Sequence, residues 1–165
     1  AHGRADLALA AAVAEETPGF GYMRRHGATT LWEHWALKTG NAMNSHSHPW
    51  MADVSAWMYR WLAGIQPDAE RPGYRHIRFR PQFPDGLAHA AGRMHTIRGL
   101  VESAWKRDGQ TVRLVLAVPP GSTATLWCPA GWREQTRGAP SGGIPLAPGA
   151  HELQLRRNTH DRVPI

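Results

Sequence analysis

The spacing of apolar residues changes once along this chain, and that change limits its fold more than any other feature. Between Trp50 and Gly64, the residues Met51, Val54, Trp57, Met58, Trp61 and Leu62 recur three and four apart, the period of one helix face. Beyond Pro67 the period is two: Ile77 and Phe79, then Val112, Leu114, Leu116 and Val118, then Leu153 and Leu155, as in strands with one buried face. The chain therefore reads as an α+β protein in two parts, helices over residues 1–66 and strands over 67–165.

Punctuation supports the division. The Ala-, Leu-, Val- and Glu-rich run from Ala5 to Glu16 has high helix propensity, and Thr17-Pro18-Gly19 closes it with residues that break helices. Leu31 to Lys38 reads as a short helix capped by Thr29 or Thr30, and Trp50 to Gly64 as a longer one that stops at the glycine. In the second part, turn signals at Pro84-Asp85-Gly86, Asp108-Gly109, Pro119-Pro120-Gly121 and Ser141-Gly142-Gly143 separate the strands in the manner of an antiparallel sandwich. The Pro- and Gly-rich stretch from Gly138 to Gly149 reads as a surface loop before the last strand. With 42% hydrophobic and 19% charged residues, the 165-residue chain is built to fold, as one domain or two small ones.

Several function classes are disfavoured by composition. The net charge of +6 comes from scattered arginines without a basic run, and it reads as a solvated face rather than a nucleic-acid footprint. Arg75, Arg78 and Arg80 belong to the same reading. No glycine-rich phosphate loop is present, and no apolar run approaches the roughly 20 residues of a membrane span. The lone Cys128 cannot close an internal disulfide and reads as a packed thiol. His26, His34, His46 and His48 match no compact zinc spacing and have no cysteine beside them, so neither metal nor other cofactor is expected. The opening residues, with neither an initiator Met nor a leader, read as the start of a piece of a longer polypeptide.

The chemistry is concentrated in His26-Gly27-Ala28-Thr29-Thr30-Leu31-Trp32-Glu33-His34-Trp35 and in Asn44-Ser45-His46-Ser47-His48-Pro49-Trp50. One carboxylate sits between two indoles beside hydroxyls and imidazoles. Aromatic faces pack on the apolar faces of a pyranose, and short polar side chains address its hydroxyls, so Trp32 and Trp35 are candidate sugar contacts. Flanking indoles would raise the affinity of Glu33 for its proton by desolvation, whereas a nearby imidazolium would lower it, and at this level the sign stays open. Trp57 and Trp61, four apart, read as helix packing.

These segments, with Trp57-Met58-Tyr59-Arg60-Trp61-Leu62-Ala63-Gly64-Ile65, Pro72-Gly73-Tyr74-Arg75-His76 and Arg80-Pro81, occur in an order that resembles the C-terminal end of bacterial α-L-rhamnosidases of glycoside hydrolase family seventy-eight, nearly throughout the chain as far as Pro129. The resemblance implies an (α/α)6 barrel whose closing helices are residues 1–66, followed by a β-sandwich over 67–165. It implies hydrolysis of terminal α-L-rhamnosyl residues with inversion, Glu33 as general base and His48 as a sugar contact. The substrate would be a rhamnosylated glycan or glycoside, the structural partner would be the upstream barrel helices, and no cofactor, nucleic acid or membrane would take part.

An inverting glycosidase needs a second carboxyl about 6.5–9.5 Å from the first, leaving room for water between them. In the family that acid lies upstream of the matched motif. Glu15 and Asp53, the nearest acidic residues here, match no such position, so the chain alone is expected to be nearly inert. Ala52-Asp53-Val54-Ser55 replaces a glycine-containing run of the family, and Ser47 and Pro49 stand where Asn and an aromatic are usual, which touches substrate identity more than reaction class. Two other readings remain. A carbohydrate-binding sandwich would bind sugar through residues 67–165 alone, although Trp105, Trp127 and Trp132 form no evident platform. A different (α/α)6 glycosidase or a polysaccharide lyase would share the architecture without the Gly-Ala-Thr-Thr-x-Trp-Glu run, and a lyase has only Tyr22, His26 and Arg25 to draw on.

Overall fold

The computed structural model describes residues 4–42, 44–136 and 143–158, and the chain divides into two compact units between Trp57 and Met58. In the first unit, α1 (Ala5–Val13) and α2 (Phe20–Arg25) are joined through the helix-breaking segment. The Tyr22 amide donates to the Ala14 carbonyl at 2.9 Å. The approach is close enough that a Cβ on Gly21 would fall 2.3 Å from the Val13 carbonyl oxygen, so this corner requires glycine. α1 ends three residues short of the expected Glu16 and buries none of its side chains; Leu7 and Val13 are more than half exposed. A nine-residue helix in water is marginal without a packed face, so α1 is a helix that needs cover.

The expected helix over Leu31–Lys38 does not form. Its backbone groups find partners across the chain instead: the Glu33 amide donates to the Ser45 carbonyl at 2.9 Å, and the His48 amide donates to the Leu31 carbonyl at 2.8 Å. The Leu31 carbonyl, which would accept the first i to i+4 bond of such a helix, is thus already taken by the His48 amide. Two 3₁₀ turns follow, Gly40–Ala42 and Pro49–Met51, and then α3 (Asp53–Trp57).

The second unit opens with a π-helical turn, Met58–Leu62. The single helix expected from Trp50 to Gly64 is thus a succession of 3₁₀, α and π pitches. It stops at Gly64, whose φ of +76° is in the left-handed region and whose added Cβ would lie 2.1 Å from the Pro81 nitrogen. The last carbonyls of the run are not left bare. Trp105 Nε1 donates to the Leu62 carbonyl at 2.8 Å, and Ser103 Oγ donates to the Ala63 carbonyl at 2.6 Å, both within the buried core.

Among the described residues, nine strands form the sandwich. One sheet has the order β1 (Ile65–Pro67), β2 (His76–Phe79), β6 (Thr123–Leu126), β8 (Ile144–Leu146); the other has the order β3 (His89–Thr96), β4 (Gly99–Asp108), β5 (Thr111–Val118), β9 (Gly149–Arg157), β7 (Trp132–Glu134). Among the described residues, all strand pairings are antiparallel except β2 with β6, a departure from the all-antiparallel expectation. Alternation fills the core as the sequence pattern requires. Ile65, Ile77, Phe79, Leu126 and Ile144 come from the first sheet, and Val101, Trp105, Val112, Leu114, Leu116 and Leu155 from the second. Phe83 meets Trp105 and Trp132 edge to face, with centroids 5.0 and 5.1 Å away.

Two expectations about this unit change. β8 lies inside the stretch read as a loop before the last strand; the part of that stretch from 138 to 142, including two residues of the Ser141-Gly142-Gly143 turn, is outside the described residues. The arginines are not simply solvated: Arg78 and Arg80 lie over Trp127, with guanidinium carbons 5.3 and 4.7 Å from the ring centroid. Parallel pairing of β2 with β6 brings the indole alongside them, and Gly143 leaves the ring its room. Cys128 is half-buried, and burial pushes its thiol up, as expected of a packed cysteine.

Candidate active site

The site is built in the first unit from two loops that clasp each other. The segment 30–33 is held to 45–48 by the two backbone bonds already described and by the Thr30 hydroxyl, which donates to the His46 carbonyl. His46 adds two further ties: its Nε2 donates to the Lys38 carbonyl at 3.0 Å, and its ring stacks on Trp32 with centroids 5.0 Å apart. Trp32 is only 4% exposed. The sequence offers it as a sugar platform, and the fold uses it as the floor on which the His46 loop rests.

Glu33 is presented the other way. It lines a cleft of about 330 Å³ with His34, Trp35, His48, Trp50 and Met51. Its Oε2 accepts from the Ser45 amide at 3.0 Å, so the loop fixes both the backbone and the carboxylate of one residue. That amide is the chief reason the carboxyl is held below the ordinary glutamate value. Partial burial opposes it, and the charges of His48 and His34 and a hydrogen bond from Asn44 reinforce it. The question left open by the sequence is thereby answered: the neighbours stabilise the anion more than the indoles destabilise it. Such a carboxylate is ionised at neutral pH, hydrogen-bonded on one oxygen, and able to accept a proton on the other.

The other expected contacts are distributed unevenly. Trp35 and His48 share the cleft with Glu33, and Trp35 is steadied edge to face against Phe20 at 5.0 Å. Trp50 closes the second chemical segment without being singled out as a contact, and Met51 reads in the sequence only as part of a helix face, yet both line the cleft. The available signal was position, since Trp50 stands two residues after His48 and ahead of the periodic helix face. Glu15 is drawn instead to Arg24 and Arg25, at 3.6 and 3.7 Å, and Asp53 opens α3; neither lines the cleft. Among the described residues, no three of His, Cys, Asp and Glu gather as metal ligands, and no helix is long and apolar enough to cross a membrane.

In the second unit, His76 is buried on β2 between two hydroxyls, with Nδ1 2.7 Å from Thr123 Oγ1 and Nε2 3.0 Å from Thr125 Oγ1. Burial holds its pKa below the usual imidazole value, as does the positive charge of Arg71. It is a satisfied structural histidine with no open face for substrate.

Helical hairpin elements carrying a carboxylate cleft, followed by a β-sandwich, define the class of six-hairpin glycosidases with a C-terminal sandwich domain. Residues 1–62 match the model of the bacterial α-L-rhamnosidase six-hairpin glycosidase domain, and residues 64–142 match that of the bacterial α-L-rhamnosidase C-terminal domain. The chain belongs to the bacterial α-L-rhamnosidase family. It is 33% identical over 135 residues to an α-L-rhamnosidase of Streptomyces avermitilis, covering 78% of this chain and 13% of that protein. A Formosa agariphila α-L-rhamnosidase is 32% identical over 133 residues, covering 77% and 14%. Among solved structures, the α-L-rhamnosidase from Dictyoglumus thermophilum aligns with a TM-score of 0.81 at 28% identity, over 92% of this chain and 19% of that one. The Streptomyces avermitilis enzyme complexed with L-rhamnose aligns with a TM-score of 0.72 at 28% identity, over 91% and 16%. The chain thus spans about one seventh of the length of the curated relatives it matches.

Proposed function

We propose that this chain is the base-bearing end of an inverting α-L-rhamnosidase. Residues 1–66 supply the closing helices of the (α/α)6 barrel, 67–165 supply the sandwich, and upstream helices of the same polypeptide complete the barrel and bring the general acid. The observation that carries this reading is the Glu33 carboxylate, pinned by the Ser45 amide in a cleft shared with Trp35 and His48. In the reaction, Glu33 takes a proton from a water that attacks the anomeric carbon of a terminal α-L-rhamnosyl residue. The upstream acid protonates the departing oxygen, and the configuration inverts. His48 addresses a sugar hydroxyl, Trp35 covers an apolar face of the ring, and Trp32 serves from beneath by holding the loop of His46. The substrate is a rhamnosylated glycan or glycoside, consistent with the relative crystallised with L-rhamnose. No step requires a cofactor.

The test is Glu33→Gln in the polypeptide that carries the whole barrel. Amide for carboxylate keeps the shape and removes the base, so turnover of an aryl α-L-rhamnoside falls by about a hundred- to ten-thousand-fold while L-rhamnose still binds. Turnover at the wild-type rate would overturn the reading.

A further inference from the structure

Ser45 grips Glu33 twice. Its carbonyl accepts from the Glu33 amide at 2.9 Å, and its own amide donates to Glu33 Oε2 at 3.0 Å. Yet Ser45 is exposed, and an amide in contact with solvent can bond to water instead. What keeps it on the carboxylate is the placement of the loop, and the side chain that ties the loop down is that of the next residue, His46. Its ring stacks on Trp32 with centroids 5.0 Å apart and planes at 27°, against an indole that is 4% exposed. Its Nε2 donates to the Lys38 carbonyl at 3.0 Å, and its own carbonyl accepts from the Thr30 hydroxyl. The stack and the carboxylate bond are adjacent rungs, since Trp32 immediately precedes Glu33 and His46 immediately follows Ser45. Every one of these contacts joins residues between Thr30 and His48, so the clasp owes nothing to segments outside this chain.

The two imidazoles of the loop divide the work. His48 lines the cleft with Glu33, whereas His46 turns its ring onto Trp32 and is not among the residues that line it. A side chain that meets neither the cleft nor the carboxylate, yet fixes the peptide that does, acts through geometry alone. We propose that His46 is a positioning residue for the reaction, its ring clamped on Trp32 so that the Ser45 amide stays on Glu33 Oε2 and leaves Oε1 to take the proton. The assignment rests on the reading of Glu33 as the general base. Loosening the clamp has two effects. The carboxylate gains freedom to turn, and a misplacement of about 1 Å at a reacting group costs up to about a hundredfold in rate. It also loses the amide that does most to favour its ionised form, and the Asn44 side chain moves with the loop, which leaves the charges of His48 and His34 to act against partial burial.

The experiment measures kcat and KM for an aryl α-L-rhamnoside across pH in the polypeptide that carries the whole barrel, for the wild type, His46→Ala, His46→Phe and Thr30→Val. His46→Ala lowers kcat about ten- to a hundredfold with KM little changed. It also raises the acid midpoint of the kcat/KM profile by about one pH unit, the scale of one hydrogen bond to a charged group. His46→Phe keeps the stack and gives up only the Lys38 bond, so it recovers most of both. Thr30→Val removes the hydroxyl tie to the His46 carbonyl without touching the ring; it moves the midpoint the same way and decides the question if His46→Ala does not fold. A loss of kcat at an unmoved midpoint overturns the assignment, because a merely structural role lowers the amount of folded enzyme without altering how Glu33 titrates. A Phe variant no better than the Ala variant overturns it too. Failure of the underlying reading has a separate signature: if Glu33→Gln turns over at the wild-type rate, or keeps the acid limb, Glu33 is not the base, whatever the His46 variants do.

Discussion

At the scale of single residues, the distinctive feature is a carboxylate made more acidic by the loop that positions it. The Ser45 amide, with His48, His34 and Asn44, favours the ionised form of Glu33. On the proposed reading Glu33 must be ionised to act as the base, so activity would be present above its pKa and lost as pH falls through it. The acid limb of the kcat/KM profile accordingly has its midpoint below 4.5, the ordinary glutamate value. His48→Gln withdraws one of the favourable charges and is expected to move that midpoint upward. A pH series on both proteins reads the shift directly, and a downward move in the variant would contradict the electrostatic account.

At the scale of elements, the helical run that crosses from one unit to the next is finished by the sandwich. Gly64 turns the chain where Pro81 leaves no space for a side chain, and Trp105 and Ser103 accept custody of the two carbonyls that the helix end leaves open. Gly64→Ala adds both a left-handed strain and a steric overlap, and it is expected to cost at least about 2 kcal/mol in denaturant unfolding of the sandwich. An unchanged midpoint would mean that the Pro81 segment yields freely. The strands of this unit were readable because the period of two needs only neighbouring residues to be seen. The false helix at Leu31–Lys38 was not, since the backbone groups that outbid its own ladder lie 12 and 17 positions along the chain, at Ser45 and His48. The stacking of Arg78 and Arg80 on Trp127 was hidden for the same reason, because it depends on a parallel pairing that no local pattern announces. In the site, Glu33, Trp35 and His48 reach one cleft, whereas the burial of Trp32 and the exposure of Trp50 follow from how two loops meet.

At the scale of the whole molecule, the proposed reading gives the chain one half of a two-carboxyl mechanism. α1 buries nothing within its own unit, and the cleft contains one carboxylate, Glu33. The 165-residue chain assayed alone is expected to cleave aryl α-L-rhamnosides at least about a hundredfold more slowly than the polypeptide with the complete barrel, for want of leaving-group protonation. Comparable rates would show that a second acid resides here after all.

The parallel union of β2 with β6 has its own consequence for how such a protein is made. His76 meets Thr123 across 47 positions of sequence, and the hairpins of the opposite sheet are written in between. On a ribosome, β2 emerges early and waits with an unzipped margin until residues beyond Leu126 have been synthesised, while β3, β4 and β5 can already close on one another. Non-local pairings of this sort are slow and leave strand margins open to strangers. The hazard in expressing this protein therefore lies in the interval before the sixth strand arrives, and slowing translation beyond Val118 should lengthen that interval.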